Sequence, residues 1–88
     1  MGSIYGMIGQ DANIYRNTRI SENMTYSAIK GGIINLTRQI ASHYGKFNIR
    51  CNSLCPGGLK GHVAGSKFKQ DKNFIKQYSN KTLLKRLG

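Results

Sequence analysis

The segment from about residue 25 to residue 44 has the hydrophobic spacing of an amphipathic helix. Its large apolar side chains recur at intervals of three and four positions, which places them on one helix face. They are Ile29, Ile33, Leu36, Ile40 and Tyr44. Asn23 or Thr25 can cap the start of this helix, and Gly45 stands where a helix commonly ends. The pattern therefore predicts a helix over about 25–44.

Two shorter elements are predicted after this helix. Residues 48–54 alternate in character from one position to the next, which is typical of a strand. Pro56 ends that strand, because proline has no N–H to donate to a sheet. Residues 68–78 carry apolar side chains on one side and lysines around them, which predicts a basic amphipathic helix. Residues 5–22 show no sustained period and are predicted to be loop.

The chain is short and strongly basic. Its 88 residues include 14 lysines and arginines and 3 acidic residues, for a formal net charge of +11. Such an excess can attract nucleic acids, anionic lipids or phosphorylated ligands, and it is also compatible with a merely solvated face. The basic residues lack the interleaved aromatic side chains that single-strand binders use. We therefore predict no nucleic-acid partner, and keep a small basic nucleic-acid binder as the less favoured alternative.

The cysteines and histidines form no recognisable disulfide or metal pattern. Cys51 and Cys55 would lie about 13 Å apart on one strand, too far for a disulfide. Together with His43 and His62 they lack the tight spacing of a zinc site, so no metal site is predicted. We also expect no signal peptide and no membrane-spanning segment. These features predict a protein of the reducing cytoplasm without a membrane partner.

Tyr26 and Lys30 form the motif with the clearest chemistry. Residues four positions apart on a helix project from the same face, one turn from each other. An ammonium near a phenol favours the phenolate form, and such a phenol can pass a proton to or from a substrate oxygen. The alternative is an aromatic residue at a helix start beside a solvated lysine. The spacing alone does not decide between the two.

Four blocks of the chain resemble, in the same order, the C-terminal half of the short-chain dehydrogenase/reductase family. Ser3-Ile4-Tyr5-Gly6 resembles the segment around the family's catalytic serine. Residues 26–32 resemble its Tyr-x-x-x-Lys helix. Residues 48–58 are similar to its sixth strand and the Pro-Gly turn on the cofactor side, and residues 84–88 to the stretch before its seventh strand. The resemblance covers nearly the whole chain.

The resemblance implies a fold and a domain organisation. The expected fold class is α/β, a fragment of a doubly wound Rossmann-type parallel sheet, with residues 1–88 forming a partial catalytic domain. The family's glycine-rich turn, which holds the dinucleotide at a helix N-terminus, has no counterpart in these residues. The chain is therefore expected to lack the N-terminal dinucleotide-binding half and to be inactive alone.

The resemblance also assigns roles to particular residues. Tyr26 would be the acid/base at the substrate oxygen, Lys30 would support Tyr26 and bind the nicotinamide ribose, and Ser3 would hydrogen-bond the substrate oxygen. Tyr26 and Lys30 would thus touch the cofactor as well. The remaining residues expected beside the cofactor are Pro56, Gly57 and Leu59. The implied cofactor is NAD or NADP, and the implied substrate is a small-molecule alcohol or carbonyl compound.

Two further expectations concern subfamily and partners. The interval between Ser3 and Tyr26 is about ten residues longer than is usual in the family. In this respect the chain resembles the branch of flagellin-modification oxidoreductases, which act on sugar precursors. Gly31 and Gly32 predict that something packs close to the helix backbone, because glycine in a helix interior costs about 1 kcal/mol. The helix 25–44 resembles one that relatives use for homo-oligomers. An alternative function is a non-catalytic module that pairs with an intact homologue.

Overall fold

The computed structural model describes residues 1–63 and 65–88. Within these residues the regular elements are helical. The α-helices are α1 (Ala12–Tyr15), α2 (Met24–Tyr44) and α3 (Lys72–Lys81), and single 3₁₀ turns cover Ile4–Gly6 and Gly45–Phe47.

The chain folds into two compact units. Unit 1 contains Met1–Gln10 and Asn23–Pro56, and unit 2 contains Asp11–Glu22 and Gly57–Gly88. Each unit is thus assembled from two separate stretches of the chain. The prediction of one partial domain over residues 1–88 stays a prediction.

Helix α2 of unit 1 confirms the predicted long helix. The side chain of Asn23 accepts a hydrogen bond from the Tyr26 N–H at 2.9 Å, so Asn23 is the N-cap. At the other end the Gly45 N–H bonds to the Ala41 carbonyl. The helix begins at Met24, within one residue of the predicted start, and of the two candidate caps the structure selects Asn23.

The face of α2 that is buried differs from the predicted apolar stripe. Ile34 is the buried residue of this helix, with 8% of its surface exposed. Two members of the stripe, Ile29 and Leu36, are each 56% exposed. The hydrophobic period was therefore correct as evidence of a helix, but it did not indicate which face packs inside the unit.

The close approach to α2 occurs at a glycine outside the helix. A Cβ atom added to Gly6 would lie 2.6 Å from the carbonyl carbon and oxygen of Lys30. A Cβ on Gly31 would make an ordinary contact of 3.6 Å with the Gly6 oxygen, and one on Gly32 would meet nothing within 4 Å. The prediction of tight packing at the helix glycines was therefore wrong for Gly32, and the glycine that the packing requires is Gly6.

Residues 48–54, which were predicted to form a strand, do not belong to a β-sheet in the part of the chain that the structure describes. The predicted alternation of inward and outward side chains is present: Cys51, Ser53 and Cys55 are half-buried, while the residues between them are exposed. A strand, however, also needs a neighbour that both donates and accepts hydrogen bonds. The described residues therefore do not confirm the expected parallel sheet.

Two hydrogen bonds join residues 48–56 to the start of the chain, but they do not form a β-ladder. The N–H groups of Gly2 and Ile4 donate to the carbonyls of Leu54 and Pro56, at 2.8 and 3.2 Å. Alternate residues are joined and both segments run in the same direction, which is the register of a parallel pair. Pro56 has no N–H to return the bond. The segment is extended and paired on one side only.

In unit 2, helix α3 is displaced from the predicted 68–78 to Lys72–Lys81. Its N-cap residue is Asp71. Residues just before the cap are held in an antiparallel bridge between His62 and Lys69, with the Val63 N–H donating to the Phe68 carbonyl at 2.8 Å. Those backbone groups are thus already paired outside a helix, so the helix begins only after Asp71.

The core of unit 2 lies between α1 and α3. Its buried apolar side chains are 5 to 7% exposed. They are Ile14, Phe74, Tyr78 and Leu87. The ring of Phe74 is 5.7 Å from Tyr15 and 5.6 Å from Tyr78 between centroids, which is the range of favourable aromatic pairs. Asp11 at the start of α1 forms an ion pair with Lys81 at 3.0 Å.

Candidate functional site

The first turns of α2 bring Tyr26 and Lys30 together. The Lys30 Nζ lies 5.4 Å from the centroid of the Tyr26 ring, within the range of a cation–π contact. The same Nζ donates a hydrogen bond to the Met1 carbonyl at 3.0 Å. Both side chains are half-buried, so a molecule in solution can still reach them. The predicted pairing of these two side chains is therefore present in the structure.

Ser3 lies at the start of the 3₁₀ turn that packs on this part of α2. Its side chain is 6% exposed, and its Oγ accepts a hydrogen bond from the Tyr5 N–H at 3.2 Å. Because the oxygen acts there as an acceptor, the hydroxyl hydrogen is left for donation elsewhere. Gly6, at the other end of the turn, rests on the Lys30 carbonyl. The serine turn is therefore fixed against the lysine turn of α2.

Pro56 belongs to the same unit as these three residues. Its carbonyl accepts the Ile4 N–H at 3.2 Å, one residue after Ser3. Cys55, just before it, contacts the chain at Gly2, where an added Cβ would lie 2.8 Å from the Cys55 Sγ. The hydrogen bond and the close packing together place Pro56 next to the serine turn.

Gly57 and Leu59 belong to unit 2 and flank Gly58, which packs on α3. Between them, Gly58 lies against the Tyr78 ring, since an added Cβ would be 2.6 Å from two ring atoms. The Leu59 carbonyl accepts a hydrogen bond from the Gln70 Nε2 at 2.9 Å, while the Leu59 side chain is 56% exposed. Of the predicted site residues, Ser3, Tyr26, Lys30 and Pro56 thus share one unit, and the other two are held in the second.

No metal centre is evident in the part of the chain that the structure describes. Those residues contain no group of three or more histidine, cysteine or acidic side chains placed to hold an ion. Cys51 and Cys55 are free thiols. Among the same residues, none of the helices is both long and apolar enough to cross a membrane.

Two positions important for the site geometry were not singled out in the sequence. Gly6 sets how closely the serine turn approaches α2, and the Met1 carbonyl is the hydrogen-bond partner of Lys30. A glycine three residues after Ser3 gave a weak signal, because a small residue in a turn often marks close packing. A backbone carbonyl carries no signal in the sequence at all.

Comparison with known proteins assigns the chain to a family. A family profile described as Enoyl-(Acyl carrier protein) reductase matches residues 11–88. The chain is 48% identical over 52 residues to a 7alpha-hydroxysteroid dehydrogenase of Bacteroides fragilis, covering 59% of this chain and 20% of the relative. It is 39% identical over 56 residues to 2-(S)-hydroxypropyl-CoM dehydrogenase 3 of Xanthobacter autotrophicus, covering 64% and 18%. No solved structure matches the chain.

A third relative gives the longest of these matches. The chain is 32% identical over 65 residues to levodione reductase of Leifsonia aquatica, covering 74% of this chain and 24% of the relative. The chain thus spans a quarter or less of the length of these three curated relatives. None of their names points to flagellin modification, so that branch stays a prediction. The profile covers most of the chain and the relatives are dehydrogenases and reductases, so the chain belongs to the short-chain dehydrogenase/reductase family of oxidoreductases.

Proposed function

We propose that this chain contributes the proton-transfer part of an NAD(P)-dependent oxidoreductase acting on an alcohol or carbonyl group. The observation that carries the proposal is the position of the Lys30 ammonium, 5.4 Å from the Tyr26 ring, beside the turn that bears Ser3. In these residues a proton donor, a cation and a hydroxyl lie in one unit. A sugar derivative is the substrate that we favour, from the length of the segment between Ser3 and Tyr26.

Each of the three side chains has a distinct part in the proposed reaction. The Tyr26 hydroxyl gives a proton to the carbonyl oxygen in reduction, or takes one from the alcohol in oxidation. The Lys30 ammonium stabilises negative charge on the phenolate oxygen of Tyr26. The Ser3 hydroxyl donates a hydrogen bond to the substrate oxygen and so fixes its position.

The residues present fit one end of a dinucleotide. The Lys30 ammonium offers further N–H donors beyond the one that it spends on Met1, and these suit the hydroxyls of a ribose. The family resemblance assigns the nicotinamide contacts to Pro56, Gly57 and Leu59, of which Pro56 lies in the same unit as Tyr26 and Lys30. The cofactor, when bound, supplies or accepts the hydride. The glycine-rich turn that holds a pyrophosphate has no counterpart among the described residues, so we assign them the nicotinamide end alone.

A chimera with a relative tests the assignment of Tyr26. The region of the Bacteroides fragilis dehydrogenase that is equivalent to residues 3–59 of this chain would be replaced by those residues, so that the chimera carries Ser3, Tyr26 and Lys30. We expect the chimera to oxidise its alcohol substrate, and Tyr26→Phe to lower kcat by about a hundredfold or more, as loss of a general acid/base does. Tyr44→Phe makes the same chemical change at the far end of α2 and should leave kcat unchanged. A Tyr26→Phe chimera as active as its parent would refute the proposal.

The 88-residue chain by itself is expected neither to bind the dinucleotide tightly nor to turn over substrate. The reason is that its residues include no turn for the pyrophosphate, which supplies much of the binding in such folds. Titration with NADH and NADPH, followed by an assay with a panel of carbonyl compounds, measures both properties. Micromolar binding, or turnover that is lost in Tyr26→Phe, would contradict this expectation.

A non-catalytic pairing module is a second candidate, and the surface of α2 supports it. Ile29 and Leu36 are each 56% exposed and Tyr44 is 43% exposed, so three of the five side chains of the apolar stripe are exposed. Such a face suits contact with another copy or with an intact homologue. Co-expression with a full-length relative should then yield a mixed dimer on size-exclusion chromatography. A chain that stays monomeric beside the relative would exclude this candidate.

A further inference from the structure

The turn that follows α3 directs two leucine side chains away from the protein. Leu83 is 98% exposed and Leu84 is 75% exposed, while Leu87 shortly after them is only 7% exposed. The same short segment thus buries one leucine and presents two. The tip of this turn, Leu83 and Leu84, is hereafter called the leucine tip.

The leucine tip is held in place by one threonine. The Thr82 Oγ1 accepts the Arg86 N–H at 3.0 Å and donates to the Ser79 carbonyl at 2.9 Å, and the Thr82 carbonyl accepts the Lys85 N–H at 3.2 Å. Lys85 has a φ of 55°, a left-handed conformation that a lysine adopts at an energetic cost. The turn is therefore hydrogen-bonded on both sides of the leucines, which keeps them outward.

The surroundings of the leucine tip are strongly basic. Lys85 and Arg86 follow it directly, and Lys81, which precedes it, is paired with Asp11. Unit 2 as a whole has ten lysines and arginines against three acidic residues, a net charge of +7. A second apolar side chain of this unit, Phe68, is 77% exposed and stands between Lys67 and Lys69. Exposed apolar side chains in unit 2 therefore occur next to positive charge.

This combination fits an anionic lipid surface better than a nucleic acid. A nucleic acid would contact the lysines and could stack a base on Phe68, but it offers no partner to the two exposed leucines of the tip. A bilayer interface accepts leucine and phenylalanine at the acyl boundary while lysines and arginines meet the anionic headgroups. We propose that unit 2 docks on the surface of an anionic bilayer through the leucine tip and its flanking basic residues. The expectation of no membrane partner rested on the lack of a spanning segment, which peripheral docking does not need.

Vesicle sedimentation of the purified 88-residue chain tests the proposal. The chain should sediment with vesicles of equal parts phosphatidylcholine and phosphatidylglycerol and remain in solution with phosphatidylcholine alone. Leu83→Ser with Leu84→Ser should weaken binding about tenfold or more, because both apolar side chains are lost. Lys85→Gln should weaken it about fivefold, the usual effect of one basic residue near such a surface. Leu83 is almost fully exposed, so the leucine variant is expected to keep the fold, which circular dichroism checks.

Leu36→Ser is the matched control for the leucine variant. Leu36 lies in unit 1 and is 56% exposed, so its replacement removes an exposed leucine of the same type from elsewhere. Binding should be unchanged in this control. The proposal is overturned if the chain ignores anionic vesicles, if the leucine variant binds as well as the parent, or if the control weakens binding equally. It is also overturned if single-stranded RNA displaces the vesicles and binds the leucine variant undiminished.

Discussion

At the scale of single residues, two glycines of unit 1 have opposite requirements. Gly6 lies where a Cβ would come within 2.6 Å of the Lys30 backbone, and backbone atoms cannot move aside cheaply. Gly32 lies in α2 with nothing within 4 Å of a Cβ position. Packing therefore requires a glycine at position 6, whereas alanine fits at position 32.

Replacing each glycine by alanine should give effects of opposite sign. Gly6→Ala should lower the free energy of unfolding by about 1–3 kcal/mol, the usual cost of overpacking. Gly32→Ala should raise it by about 1 kcal/mol, because alanine is the better helix former. Urea denaturation monitored by circular dichroism measures both. Equal effects of the two replacements would mean that the serine turn does not pack on α2 as described.

The surroundings of Asp11 lower the pKa of its carboxyl group. The Asn13 N–H donates to its carboxylate at 2.9 Å, and this bond, followed by the ion pair with Lys81, holds the pKa of Asp11 below its ordinary value of 3.8. A carboxyl with a lowered pKa stabilises the folded state above its unfolded pKa. That stabilisation is lost as the pH falls through the lowered pKa.

The titration of Asp11 can be followed directly by nuclear magnetic resonance. We expect its carboxyl signal to have a midpoint below pH 3.8. In Lys81→Gln the midpoint should rise, and it should remain below 3.8 because the larger contribution, from the Asn13 N–H, is intact. A midpoint at or above 3.8 in the parent chain would show that the α1 cap and the ion pair are not formed in solution.

At the scale of elements, α2 is determined mostly by its own sequence. Asn23 caps its start and Gly45 stands at its end, and both boundary residues could be proposed from residue type. The start of α3 could not, because residues 68–70 pair with a segment near residue 62. The strand predicted over 48–54 does not form a ladder, also for a non-local reason: its partner at Gly2 and Ile4 lies about fifty residues away, and Pro56 cannot return a hydrogen bond.

The cap of α2 is open to a direct test. Asn23→Ala removes the oxygen that accepts the Tyr26 N–H and should lower the free energy of unfolding by about 0.5–2 kcal/mol. Asn35→Ala makes the same replacement at an exposed position inside the helix and should be neutral or slightly stabilising. Thermal melts of the two variants beside the parent distinguish them. A cap variant as stable as the parent would mean that α2 begins elsewhere.

At the scale of the whole molecule, charge acts against compactness. The formal net charge is +11 on 88 residues, and 3 acidic side chains are available to offset it. Uncompensated charge of one sign destabilises a compact state by self-repulsion, and salt screens that repulsion. The melting temperature should therefore rise when ionic strength is raised from about 0.01 to about 0.15 M, over which the Debye length falls from about 30 to about 8 Å.

Differential scanning calorimetry in sodium chloride measures this effect, with sucrose at matched osmolality as an uncharged control. Sodium chloride should raise the melting temperature more than sucrose does. A melting temperature that falls with salt would mean that specific ion pairs, such as that of Asp11 with Lys81, outweigh the general repulsion.

The sequence by itself determined the long helix, its caps, the excess of positive charge and the order of motifs that indicates the family. These features depend on residue type and on spacings within a few turns of chain. Only the tertiary structure decided that Ile34 is the buried residue of α2, that Gly6 meets Lys30 and that the segment ending at Pro56 pairs on one side. Burial and pairing depend on which distant segments become neighbours, and a local pattern does not specify them.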